Sequence, residues 1–168
     1  LDRHGFGTFW LGEAYPWWRK HAMEARSSTA LSMLIARETQ RIKIGWGIIS
    51  PYSRHPVQVA MEARVIQELA PERFLLGFGT SKIFLNNIGR SGEPRQAKPL
   101  AHARDSVSIV RGVLAGERFR YDGRIYSADV PPLDPLAEAP RGAVPVYLAG
   151  TAPLMQQLAG EIADGVLT

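Results

Sequence analysis

IKIGWGIIS, residues 42–50, decides what kind of fold this chain adopts. Apart from Lys43 the run is apolar until Ser50, with no polar residue at every second position. A strand that keeps one face in water alternates, whereas a strand of a parallel sheet, covered on both faces, does not. The run therefore predicts a buried parallel strand. Four other runs share its character: FGTFWLGE at 6–13, FLLGFGTS at 74–81, PVYLAG at 145–150 and GVLT at 165–168.

Helical patterns lie between them. Residues 28–40 place Leu31, Leu34, Ile35 and Glu38 at helical spacing behind Ser27 or Ser28 as N-cap. Residues 57–69 follow Pro56 at a first-turn position and carry a stripe of Val59, Ala63 and Ile66. Residues 100–115 carry Val107, Val110, Val113 and Leu114, and Pro153 opens a short helix to Ala163 with Leu154, Leu158 and Ile162 inward. Strand alternating with helix predicts an α/β fold around a parallel sheet. Two architectures fit: an open doubly wound sheet, or an arc of a (β/α)8 barrel. A whole barrel takes about 250 residues, so this chain would form only part of one.

One interval breaks the rhythm. Residues 119–126 (FRYDGRIY) read as a small β-hairpin turning at Asp122-Gly123, and a proline-rich stretch follows. The expectation is one incomplete domain over residues 1–168, with an insertion at about 116–143. Residues 1–5 read as the last turn of a helix closed by glycine, and residues 164–168 as a strand just completed. Both ends cut through patterned structure, so the chain is expected to be a piece of a larger domain.

Composition narrows the function classes. The 168 residues are 45% apolar and 21% charged, an ordinary globular balance. There is no cysteine, which excludes disulfides and thiolate metal sites. No apolar run approaches membrane-spanning length, and no signal-peptide layout is present, which predicts a cytoplasmic chain. The net charge of +4 is spread along the sequence without a block of basic residues. Such a mild positive field suits an anionic small molecule better than nucleic acid.

The motifs exclude more than they assign. Gly77-Phe78-Gly79 follows a strand, but Lys82 stands where a dinucleotide fingerprint needs its third glycine, and no acidic residue follows at the required distance. Either the two glycines allow close packing, or the loop approaches a ring or a phosphate. His4, His21, His55 and His102 lack metal-ligand spacing, and there is no GxSxG nucleophile. Glu13 stands at the C-terminal end of a buried strand, where parallel α/β enzymes keep their chemistry. A salt-bridge role is its plainer alternative. Tyr15, Trp17 and Trp18 behind it can wall a flat conjugated ligand or serve as core or subunit contacts.

In GWGIISPYSRHPVQVAMEA, RFLLGFGTS and PVYLAG…LAGEIADGVL, over essentially its whole length, the sequence resembles the luciferase-like flavin and deazaflavin oxidoreductases. Within them it is most similar to the methylenetetrahydromethanopterin reductase branch, which uses coenzyme F420. The resemblance implies a (β/α)8 barrel with an insertion after its fourth strand, of which this chain covers about strands two to six. It further implies a non-prolyl cis peptide in the third strand, bulging against the back of the coenzyme ring. The matching bond is Gly47–Ile48, with Ser50 and the loop to Pro56 shaping the ring pocket. Arg54 and His55 would orient that loop or face the coenzyme tail.

Other positions carry over one by one. Glu13 falls where relatives keep an acidic residue, and so becomes the catalytic candidate. Ala14 stands where many of them have histidine. Thr80 and Ser81 match a strand-end stretch near the coenzyme. Lys82 and Ile83 occupy the region where sugar-phosphate-oxidising relatives keep a catalytic glutamate, which argues against that activity. Ala149, Gly150 and Thr151 match a turn whose backbone N–H groups bind the coenzyme phosphate beside a helix N-terminus. The implied activity is hydride transfer between coenzyme F420 and a small organic substrate. The rival is an FMN-dependent monooxygenase using reduced flavin and O2, and a non-catalytic scaffold relative is the reading from another class. The implied partners are a small-molecule substrate and, at full length, a second copy in a homodimer, with no nucleic acid and no membrane.

Overall fold

The computed structural model describes residues 1–13, 26–81, 85, 98–132 and 143–168. After a 3-10 turn at Asp2–His4, closed by Gly5 at φ 75°, come β1 (Thr8–Leu11), α1 (Ser28–Glu38), β2 (Lys43–Trp46) and α2 (Pro56–Leu69). They are followed by β3 (Phe74–Gly79), α3 (Pro99–Leu114), β4 (Phe119–Asp122) and β5 (Ser127–Val130). The last elements are β6 (Val146–Ala149), α4 (Pro153–Ile162) and β7 (Gly165–Leu167). Five strands form one parallel sheet in the order β1-β2-β3-β6-β7, while β4 and β5 pair only with each other, antiparallel.

That order separates the two architectures left open by the sequence. A doubly wound sheet reverses direction at a switch point, whereas here each new strand joins the same growing edge. The fold is an arc of a parallel barrel.

Strand periodicity explains how the arc curls. Ile44 and Trp46 of β2, Phe74, Leu76 and Phe78 of β3, and Val146 and Leu148 of β6 point toward the helices and are almost wholly buried. They form one core with Val59, Ala63 and Ile66 of α2 and Val107, Val110 and Val113 of α3. Each large side chain so buried stabilises the fold by about 1.5–3 kcal/mol. The alternate positions face the inside of the arc, where β2 offers Gly45, its exit Gly47, and β3 Gly77 and Gly79. Trp10 of β1 lies across the bare backbone: a Cβ on Gly45 would sit 2.2 Å from its ring. Across β2 and β3, the Trp10 ring meets Tyr147 of β6 edge-on at 5.9 Å. In a flat sheet those strands would stand about 14 Å apart.

Two expectations are corrected. Of the Leu31–Leu34–Ile35 stripe of α1, Ile35 packs against the core but Leu34 is 62% exposed, and the fully buried positions are Ser28, Thr29, Ser32 and Ala36. Small residues face the sheet there because Trp46 fills the space beneath, its indole N–H donating to Ser32 Oγ at 2.8 Å. The insertion hairpin does not turn at Asp122-Gly123, since Asp122 pairs with Ser127 and residues 123–126 form the turn. The backbone N–H groups of Ile125 and Tyr126 donate to the buried Asp105 carboxylate of α3, at 2.6 and 3.1 Å. They are therefore withdrawn from the ladder.

Candidate functional site

A cavity of about 580 Å³ opens at the C-terminal ends of β2, β3, β6 and β7, within the size range of small-molecule sites. Ile48 comes from the β2 exit, Thr80 and Ser81 from the β3 exit, and Ala149, Gly150 and Thr151 from the β6 exit. The fold thus brings together six of the nine residues singled out from the sequence. Pro99 and Leu100 of α3, Leu154 and Met155 of α4, and Leu167 complete the apolar wall.

Local geometry shapes this space. The Gly47–Ile48 peptide bond is cis. Beyond it Ile49 rejoins the sheet, its N–H donating to Gly77 O at 2.9 Å while Gly79 N–H donates to Ile49 O at 3.0 Å. Ile48 lies flat on β3 because Gly79 has no side chain: a Cβ there would stand 2.6 Å from Ile48 Cδ1. A Cβ on Gly150 would likewise meet Met155 Cγ at 2.5 Å. Both glycines keep neighbouring side chains back from the cavity.

The turn into α4 supplies donors, though not all those expected. The Gly150 N–H is engaged by Leu167 O at 3.1 Å, so it holds β7 in place. The N–H groups of Thr151, Ala152 and Leu154 have no acceptor among the described residues. They stand at the positive end of the α4 dipole, an arrangement that suits an anionic group. A largely apolar cavity with such donors at its edge suits a ligand with an apolar body and an anionic group.

Glu13, Gly47 and Ser50 do not line the cavity. They build the framework behind it. Glu13 N–H donates to Ile48 O at 3.1 Å, and Gly47 N–H donates to Leu11 O at 2.9 Å. The Glu13 side chain is only 7% exposed; Oε1 pairs with Arg54, and Oε2 accepts the Ser50 N–H at 3.3 Å. Arg54 also reaches Glu62 of α2 at 3.8 Å. His55 caps α2, its Nδ1 accepting from Val57 N–H at 3.3 Å. Ala14, Tyr15, Trp17, Trp18, Lys82 and Ile83 lie outside the described residues. Among the described residues no group of His, Cys, Asp or Glu gathers as metal ligands, and no helix is long and apolar enough to cross a membrane.

The sequence reading missed Leu100 and Leu154. Leu154 was assigned inward, yet it is 65% exposed and walls the cavity. Its position was the available signal: an apolar residue in the first turn of a helix that opens at a strand's C-terminal end lies at the rim.

A parallel barrel arc with a cavity of small-molecule size at its C-terminal rim has the layout of an α/β-barrel site. The chain belongs to the luciferase-like monooxygenase family, whose model matches residues 1–168. It is 28% identical to an F420-dependent glucose-6-phosphate dehydrogenase of Nakamurella multipartita, over 99% of this chain and 49% of that protein. It is 32% identical to a 5,10-methylenetetrahydromethanopterin reductase of Archaeoglobus fulgidus, over 97% of this chain and 45% of that one. The structure of the coenzyme F420-dependent tetrahydromethanopterin reductase from Methanopyrus kandleri superposes with a TM-score of 0.79 at 24% identity, covering 98% of this chain and 48% of that one. The chain therefore spans about half the length of the relatives it matches.

Proposed function

We propose that this chain forms the coenzyme-holding half of an oxidoreductase that passes a hydride between coenzyme F420 and a small organic substrate. The observation that carries the reading is the cavity itself, in which Ile48, Thr80 and Ser81 meet N–H groups before α4 that have no acceptor among the described residues. When bound, the deazaflavin supplies the hydride-exchanging ring.

The chain's own residues bind and orient. Ile48 and Gly79 give the ring a flat wall, and Thr80 and Ser81 offer hydroxyls at its edge. Thr151 and Ala152 N–H groups, at the start of α4, receive the anionic tail. Leu100, Leu154 and Met155 supply an apolar wall on one side. Glu13, named as a catalytic candidate, has both carboxylate oxygens engaged, which supports a positioning role for it behind Ile48. Substrate groups are contributed by strand-end loops of the intact protein, as the barrel architecture implies.

Titrating the intact protein with coenzyme F420 and, separately, with FMN tests the reading, because the two chromophores absorb differently. Saturable F420 binding with weak or no FMN binding is expected. Tight FMN binding without F420 binding shifts the assignment to the flavin monooxygenase, and binding of neither removes it.

A further inference from the structure

The insertion hairpin is anchored in an unexpected place. Its turn is gathered by the Asp105 carboxylate, which accepts from Tyr121 Oη at 3.0 Å as well as from the Ile125 and Tyr126 N–H groups. Asp105 is 2% exposed, so this knot is internal. From it Tyr126 reaches 75 residues back along the chain, its hydroxyl donating to Pro51 O at 2.6 Å. The Tyr126 ring packs edge-on against His55 at 5.2 Å and His102 at 5.4 Å, and Tyr52 packs on the other flank of His102 at 4.6 Å. The loop residues in this contact set, Pro51, Tyr52 and His55, lie within five residues of Ser50, in the segment that leaves β2 through Ile48.

We propose that Tyr126, held by Asp105, is a positioning residue that clamps loop 50–55 from outside the barrel and thereby fixes how Ile48 meets the ring of the bound coenzyme. The loop is then gripped from two sides. Glu13, just beyond β1, holds Ser50 and Arg54, and Tyr126 holds Pro51 and His55 from the hairpin. The hairpin is thus part of the site although none of its described residues lines the cavity. This inference rests on the coenzyme reading for its ligand half and on geometry alone for its clamp half.

Two single-atom variants of the intact protein separate the roles. Tyr126→Phe and Tyr121→Phe each remove one hydroxyl, but only Tyr126 touches the loop. Amide hydrogen exchange without coenzyme should show residues 50–55 opening about tenfold more readily in Tyr126→Phe, the equivalent of one lost hydrogen bond. Tyr121→Phe should leave them unchanged. Coenzyme F420 should bind Tyr126→Phe about fivefold more weakly and restore part of the lost protection, because coupling between loop and ligand is reciprocal. Equal loop exchange in the two variants overturns the clamp. Faster exchange with unaltered affinity overturns its bearing on the ligand. If the wild-type protein binds neither F420 nor FMN, the functional reading and the ligand half fall together, and the exchange comparison still decides the clamp.

Discussion

The two rims of the barrel arc are built on opposite principles. At the N-terminal rim, polar groups are matched to partners. The Asp2 carboxylate accepts from three successive N–H groups, those of Gln40, Arg41 and Ile42, at 3.2, 3.0 and 2.7 Å. The Arg73 guanidinium closes the C-terminus of α1, donating to Ala36 O, Thr39 O, Thr39 Oγ1 and Ile42 O. Asp164 accepts from Val146 N–H and Arg111, both at 2.7 Å. At the C-terminal rim the Thr151 and Ala152 N–H groups before α4 have no acceptor among the described residues, and glycines stand where side chains would fill the cavity. A hollow of about 420 Å³ exists at the N-terminal rim too, but its carboxylate, Asp2, is already bonded. Space alone does not make a site; space beside unmatched donors does.

Substitutions at the two rims should therefore fail differently, and the largest effect belongs to the lumen between them. Gly77→Ala puts a Cβ 2.2 Å from the backbone oxygen of Trp46, which cannot swing aside. It should cost about 3 kcal/mol or more, read as a large drop in denaturation midpoint. Next is Arg73→Ala, which strips four carbonyl and hydroxyl acceptors of their partner and should cost about 2 kcal/mol with coenzyme affinity unchanged. Gly79→Ala inverts that pattern. The atoms nearest its Cβ all belong to the Ile48 side chain, which can turn into the cavity, so stability should fall by about 1 kcal/mol while F420 affinity drops about tenfold. Should Gly79→Ala cost as much stability as Arg73→Ala and leave F420 affinity unchanged, the contrast between rims is wrong.

The smallest effect is one of pH. The Ile42 N–H beside Asp2 holds its carboxyl below its ordinary value of 3.8. Burial pushes the Asp164 carboxyl up, but the Val146 N–H and Arg111 outweigh it and leave it below 3.8 as well. A depressed carboxylate stabilises the fold fully above its unfolded value, and that contribution is lost as pH falls through the folded one. The denaturation midpoint should therefore be flat above the usual carboxylate range and fall below it. Asp164→Asn should flatten the fall, and an unchanged slope would show that this rim is not what acid attacks.

What could be read in advance divides along the range of the forces involved. The parallel strands followed from unbroken apolar runs, and α2 followed from the Val59, Ala63 and Ile66 stripe, because local periodicity reports a local face. The cis bond at Gly47–Ile48 was implied by the resemblance alone, since nothing in the pair Gly-Ile announces it. The buried face of α1 was misread because Trp46, not the helix, sets which residues fit there. The hairpin turn was misread because Asp105 lies 20 residues from Ile125 in the chain. The bond from Tyr126 to Pro51 spans still more sequence and leaves no trace in either segment.

The most direct measurement is amide hydrogen exchange of the intact protein with and without coenzyme F420. The account predicts added protection at residues 48–50, 79–81 and 151–155, and none at residues 40–43, 73 or 164. Protection concentrated at the N-terminal rim, or none anywhere in the presence of saturating coenzyme, would contradict it.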